Sequence, residues 1–167
     1  MENKKLFLLD KKLKQFLLTF IITLTFGVSI GLSYLYYTTK YLPSQAVERY
    51  NGSEVNEAED FDIPENYPKP VSELFITTHN HVLVFSFIFF FVGGIFYFNS
   101  IVNGSIKQFL IIEPFISTII SFSSLWGMRF LHPGFVYVMA LSSSLIYISF
   151  FVMISIIIYE LKFKKNN

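Results

Sequence analysis

Three imidazoles are the side chains of this chain best suited to hold a metal or haem iron: His79, His81 and His132. His79 and His81 stand two apart in Thr77-Thr78-His79-Asn80-His81, at the head of an apolar stretch. On a helix that spacing is about 200° of rotation, so the two rings point different ways and do not readily share one ion. One of them facing His132 across a helix bundle would present two imidazoles to opposite sides of a flat cofactor, the axial arrangement of haem b. Arg129, three residues before His132, is then placed to pair with a haem propionate. A mononuclear metal or quinone site using His79 or His81, His132 and Glu73 is a second chemistry open to the same residues. The plain structural alternative is that these imidazoles cap helix ends, bonded to nearby backbone or to Thr77 and Thr78.

Glu113 is the other conspicuous group, because it lies in an apolar run and precedes Pro114. One reading is a buried, proton-carrying carboxyl, since ionisable groups within a membrane span are functional by default. The favoured reading starts the helix at Pro114 as its first residue, where the missing N–H is harmless. Glu113 then sits at the membrane interface beside the positive end of that helix.

Other chemistries are absent from the pattern. The chain has no Cys, which removes disulfides, thiolate metal sites, iron–sulfur clusters and covalent haem attachment. It has no P-loop, HExxH, GxSxG or Rossmann glycine pattern, and no polar segment large enough to house a soluble active site. A net charge of +1 gives no reason to expect a nucleic-acid partner.

The elements that must position these residues follow from hydropathy. Hydrophobic residues make up 53% of the 167 and charged residues only 15%, against about 25% in soluble domains. A helix crossing the hydrocarbon core of a bilayer needs about 20 apolar residues. Charge-free runs at Gln15–Thr39 and Leu74–Ile106, with two further apolar stretches, predict four helices, about 15–39, 74–98, 108–128 and 135–159. In lipid the backbone must satisfy its own hydrogen bonds, so these spans are helices. The predicted fold class is all-α: a single polytopic four-helix membrane bundle over 1–167, embedded in the lipid bilayer.

Nine Lys residues (Lys4, Lys5, Lys11, Lys12, Lys14, Lys107, Lys162, Lys164 and Lys165) fall on one side and four cations (Lys40, Arg49, Lys69 and Arg129) on the other. The positive-inside rule therefore puts both termini in the cytoplasm and all three imidazoles near the outer face of a bacterial inner membrane. The outer loop, 40–73, carries Glu48, Glu54, Glu57, Glu59, Asp60, Asp62, Glu65 and Glu73 and four prolines, and reads as a solvated, extended or short-helical connector. Within it, Asn51-Gly52-Ser53 fits a glycosylation sequon and reads as a turn.

Small residues predict how the helices pack. Gly27-Val28-Ser29-Ile30-Gly31 is a small-xxx-small pattern that lets two backbones approach closely. Ser117, Ser121 and Ser124 form a seam on the third span, Ser142 and Ser149 on the fourth, and His79, Ser86 and Gly93 on the second. All are read as helix packing.

Two resemblances add to this. Thr78-His79-Asn80-His81 before an apolar helix resembles the outer-leaflet haem-ligand helices of membrane cytochromes and haem–copper oxidases, over that one helix. Tyr50-Asn51-Gly52, Tyr67-Pro68-Lys69-Pro70, Ile111-Ile112-Glu113-Pro114-Phe115 and Trp126-Gly127-Met128-Arg129 are similar to stretches of uncharacterised four-helix membrane proteins of the Bacteroidetes, a likeness that implies the fold and no activity. The expected function is a small membrane protein holding haem b through His81 or His79 with His132, for electron transfer or haem sensing. The alternative is a non-catalytic subunit or scaffold of a homo-oligomer or larger complex, contacting partners through its acidic loop and the Gly27/Gly31 face. A third idea is a proton or ion path through Glu113.

Overall fold

A computed structural model describes residues 5–53 and 66–164. Among them the chain is all helical: a short 3-10 turn at Leu6–Leu8, then α1 (Lys11–Thr39), α2 (Pro43–Asn51), α3 (Val71–Tyr97), α4 (Gly104–Phe130) and α5 (Phe135–Lys162). The four long helices have 27 to 29 residues each. At about 1.5 Å per residue each reaches about 40 Å, enough to cross a hydrocarbon core of about 30 Å with some tilt. All four are apolar enough to do so, and the chain is a multi-pass membrane protein.

Local chemistry sets the ends. Asp10 caps α1 by accepting hydrogen bonds from the backbone N–H groups of Lys12 and Leu13 at 2.9 and 3.0 Å. The chain leaves α1 through Lys40 and Tyr41, both at positive φ (49° and 58°), and turns into α2. Pro43 opens α2, where its lack of an N–H is no loss. Gly52 ends it at φ 89°, and a Cβ there would meet Pro68 Cδ at 2.8 Å. Asn99 closes the α3–α4 connection, its Oδ1 accepting from the N–H groups of Ile101 and Val102. A turn of four residues joins α4 to α5 and makes them an antiparallel pair.

The first and last described residues meet at one end of the bundle. Leu6 N–H donates to Phe98 O at 3.1 Å, and the Lys164 ammonium lies 5.0 Å from the Phe7 ring centroid. This lysine-rich end is called the lysine face. The opposite end carries α2 and is called the α2 face. Phe89, Val92, Phe96, Phe150, Met153 and Ile157 form the core between α3 and α5, with Leu110 and Ile21 brought in from α4 and α1.

The loop 40–73, expected to be extended or short-helical, holds the short helix α2 and the first turn of α3. Its acids from Glu54 to Glu65 lie outside the described residues. Two expectations are corrected. Pro114 does not begin a helix: α4 starts at Gly104, and the proline sits inside it. The start at Asn103-Gly104 leaves ten helical residues before the proline, and membrane helices tolerate an interior Pro when neighbours satisfy the freed backbone. Among the described residues nothing packs against Gly27 or Gly31. Both are exposed, with no atom within 4 Å of where a Cβ would stand. Helix α1 buries only Ile21 and Thr39, so its glycine face lies away from its neighbours.

Candidate functional site

All four long helices and α2 line a partly enclosed cavity of about 220 Å³ at the α2 face. Its polar wall is cationic and hydroxylic: Arg49 and Tyr50 from α2, Lys69 from the segment before α3, His81 from α3, Tyr147 from α5, and the hydroxyls of Ser121 and Ser143. Among the described residues no Asp or Glu lines it. Leu35, Phe85, Phe122 and Ile146 supply an apolar floor.

His81 enters this wall in a defined state. Its Nδ1 lies 2.8 Å from the carbonyl oxygen of Thr77, one turn earlier. A carbonyl only accepts, so Nδ1 carries the hydrogen, and in the neutral ring Nε2 is left as a lone-pair acceptor. The ring is seated among Phe85 and Phe122, at centroid distances of 6.1 and 5.4 Å. Arg49 donates from Nη2 to the Tyr34 hydroxyl at 3.0 Å and lies over that ring, 5.3 Å from its centroid. Lys69 pairs with Glu73 at 2.8 Å, and no other ion pair occurs among the described residues. Among the described residues Arg49 therefore has no carboxylate partner.

The other imidazoles are elsewhere. His132 is exposed, and its Nδ1 accepts from Gly134 N–H at 2.9 Å within its own turn. His79 is exposed, and neither it, His132 nor Arg129 lines the cavity. Arg129 lies over Phe130, its guanidinium carbon 5.7 Å from the ring centroid. Its Nε is buried with no hydrogen-bond partner among the described residues. No group of three or more His, Asp and Glu side chains placed to hold a metal ion occurs among those residues. Thr78 is engaged by Trp126, whose indole N–H donates to its hydroxyl at 2.9 Å, tying α4 to the first turns of α3.

A second polar centre lies deeper. Glu113 is 6% exposed, and the hydroxyls of Ser117 and Ser149 donate to its two carboxyl oxygens, the latter at 2.8 Å. One turn on, Thr118 donates to the carbonyl of Pro114 at 2.7 Å. The serines read as packing residues thus bind the one carboxylate of the span. Nearer the cavity, Ser121 and Ser143 face each other at 2.8 Å.

A third centre closes the lysine face. Glu160, fully buried, accepts from the backbone N–H and the hydroxyl of Ser100 at 2.8 and 2.7 Å. Lys164 donates to that same hydroxyl, and Lys107 donates to the carbonyls of Tyr97 and Asn99.

Sequence reasoning missed the roles of Arg49, Lys69, Tyr147 and Glu160. The first two counted only toward topology, although they are two of the three basic residues between α1 and the imidazoles. Glu113 and Ser117, one turn apart, were a legible pair.

A family model for a transmembrane helical domain, Aq_1264_TM, matches residues 40–167, more than half of the chain. No curated protein and no solved structure matches.

Proposed function

We propose that this chain, which belongs to the Aq_1264_TM family of transmembrane helical domains, is a membrane-embedded binding protein rather than a stand-alone enzyme. Its α2-face cavity takes the anionic head of a small amphiphile. The observation that carries this is the composition of the wall: among the described residues it has two cations, two phenols and an imidazole, and no carboxylate. Such a wall offers donors and positive charge, which suit a phosphate or carboxylate group, and Arg49 has further N–H groups besides the one it gives to Tyr34. Pockets enclosing drug-sized ligands run to about 300–1,000 Å³, so a cavity of about 220 Å³ suits a headgroup. By the charge rule this cavity opens to the extracytoplasmic side of a bacterial inner membrane.

Native mass spectrometry of the full chain released from mixed phosphatidylcholine and phosphatidylglycerol vesicles tests the reading. Preferential retention of phosphatidylglycerol, reduced in Arg49→Gln, supports it. Equal retention of both lipids opposes it. A parallel thermal melt with inorganic phosphate distinguishes a free anion from a lipid head.

A second reading places haem b at the same end. It is favoured by His81, whose Nδ1–H···O=C bond leaves Nε2 in the form a metal-ligating imidazole needs. The second ligand and propionate partner would be His132 and Arg129. Reduced absorption spectra of the membrane-extracted protein separate the two readings. A non-catalytic role within a larger assembly is compatible with either, with the open Gly27/Gly31 face of α1 as its contact.

A further inference from the structure

We propose that Glu113 is a proton-binding site inside the membrane, exchanging its proton with the α2 face through the hydroxyls of Ser117, Ser121 and Ser143. It rests on where the cavity lies and not on what fills it.

Glu113 follows Gly104 by nine residues, which sets it about 13 Å along α4 from that helix's start. It is buried among α4 and α5. Among the described residues no basic side chain comes within 4 Å of it. A carboxylate held there without a cation is expensive, whereas the carboxylic acid formed by taking up one proton carries no charge. Both of its oxygens already face a serine hydroxyl, so a proton is the cation that enters without displacing them. On protonation the new O–H donates to one of these serine oxygens, and that serine's hydrogen turns to another acceptor.

The surroundings are one-sided. Toward the lysine face the next buried layers are Leu110, Met153, Ile154 and Ile157, all apolar. Toward the α2 face the buried polar groups on α4 are Ser117, Thr118, Ser121 and Ser124, of which Ser117 and Ser121 stand at successive turns of one face. Ser121 bonds to Ser143, and both line the cavity. The hydroxyls thus step from the carboxyl to the cavity while the opposite side is closed by hydrocarbon.

Other titratable groups on the packed elements lie away from this level. On α4 the nearest is Lys107, six residues earlier; on α5 they are Tyr147, which lines the cavity, and Glu160 at the lysine face. Helix α3 carries Glu73, His79 and His81 toward its α2-face end and Tyr97 at the other, and α1 has no charged residue from Gln15 to Thr39.

The test uses the full chain in lipid vesicles at neutral pH. Dicyclohexylcarbodiimide partitions into the apolar phase, and a protonated carboxyl adds its O–H across one C=N bond before rearranging to a stable N-acylurea. Peptide mapping should place the adduct on Glu113, and Glu113→Gln should lose it. Infrared difference spectra should show a carboxylic acid band that shifts in D2O and is lost in the same variant. The Ser121→Ala/Ser143→Ala double variant should slow that shift several-fold. No adduct and no band on Glu113 in the wild-type chain would overturn the site, whatever any variant does. A shift unchanged in the serine double variant would overturn the route. Loss of cavity ligands leaves both readouts in place, so failure of the lipid-binding reading is distinguishable.

Discussion

Ser149 on α5 donates a 2.8 Å hydrogen bond to Glu113 on α4, although the two are 36 residues apart in the chain. The bond fixes the rotation of two adjacent helices about their axes, because each places its polar group on the seam it shares with the other. Apolar packing alone specifies such a rotation weakly in lipid, where hydrocarbon surrounds a helix on every side.

A double-mutant cycle measures that bond. Glu113→Ala and Ser149→Ala, each and together, should show a coupling of about 0.6 kcal/mol and no more than about 1.7 kcal/mol, the range for bonds between membrane helices. Unfolding in mixed detergent micelles provides the free energies. Strict additivity would mean that the contact carries no energy.

Glycines on different faces should respond in opposite ways. A Cβ on Gly127 would stand 2.9 Å from two ring carbons of Phe135, where the α4–α5 turn draws the helices together. Gly127→Ala should therefore destabilise by about 1–3 kcal/mol, the range for overpacking. Gly27→Ala and Gly31→Ala meet nothing among the described residues and should leave the isolated protein folded and at least as stable, as replacement of a mid-helix glycine does. Thermal melts in detergent check both. A change of oligomeric state on Gly27→Leu would mark this face as a contact with a partner helix.

Glu160 should prove structural. Removing its carboxylate strands the N–H and hydroxyl of Ser100 and loosens the α3–α4 connection. Glu160→Ala should cost about 1–3 kcal/mol, as for a buried group left unsatisfied. Amide hydrogen exchange should quicken at 99–102 and remain unchanged at the α2 face. Uniform quickening would assign Glu160 a global role instead.

Haem binding makes its own demand. If haem b is held, the dithionite-reduced protein shows α and Soret bands that vanish in His81→Ala and in His132→Ala. The lipid-binding reading expects no such bands. Bands that survive His132→Ala would leave His81 with a different second ligand.

The spans were legible because a bilayer asks little of a sequence: length, apolarity and charge at the ends. Gln15–Thr39 and Leu74–Ile106 met those conditions on inspection. The helix ends were less so, since α3 and α4 reach back to Val71 and Gly104, where polar residues continue the helix beyond hydrocarbon. Pro114 misled because a proline fits the first turn of a helix as well as an interior satisfied from outside. The choice depends on residues ten positions upstream and on Ser149, neither of which local pattern connects to it. The cavity was hidden for a similar reason: its wall runs from Leu35 to Tyr147 and takes residues from five helices. Pattern flagged His81, one member of that wall, and paired it with His132, which the fold leaves in its own turn.

The most direct measurement is lipid retention by a chain whose cavity is filled while its charges are kept. Ser143→Phe inserts a ring into the wall and leaves Arg49, Lys69 and His81 in place. If the head of an anionic amphiphile sits in the cavity, native mass spectrometry will find phosphatidylglycerol retained by the wild-type chain and lost from Ser143→Phe, with the fold intact by circular dichroism. Undiminished retention by the folded variant would put the lipid on the outside of the bundle and contradict a binding site within it.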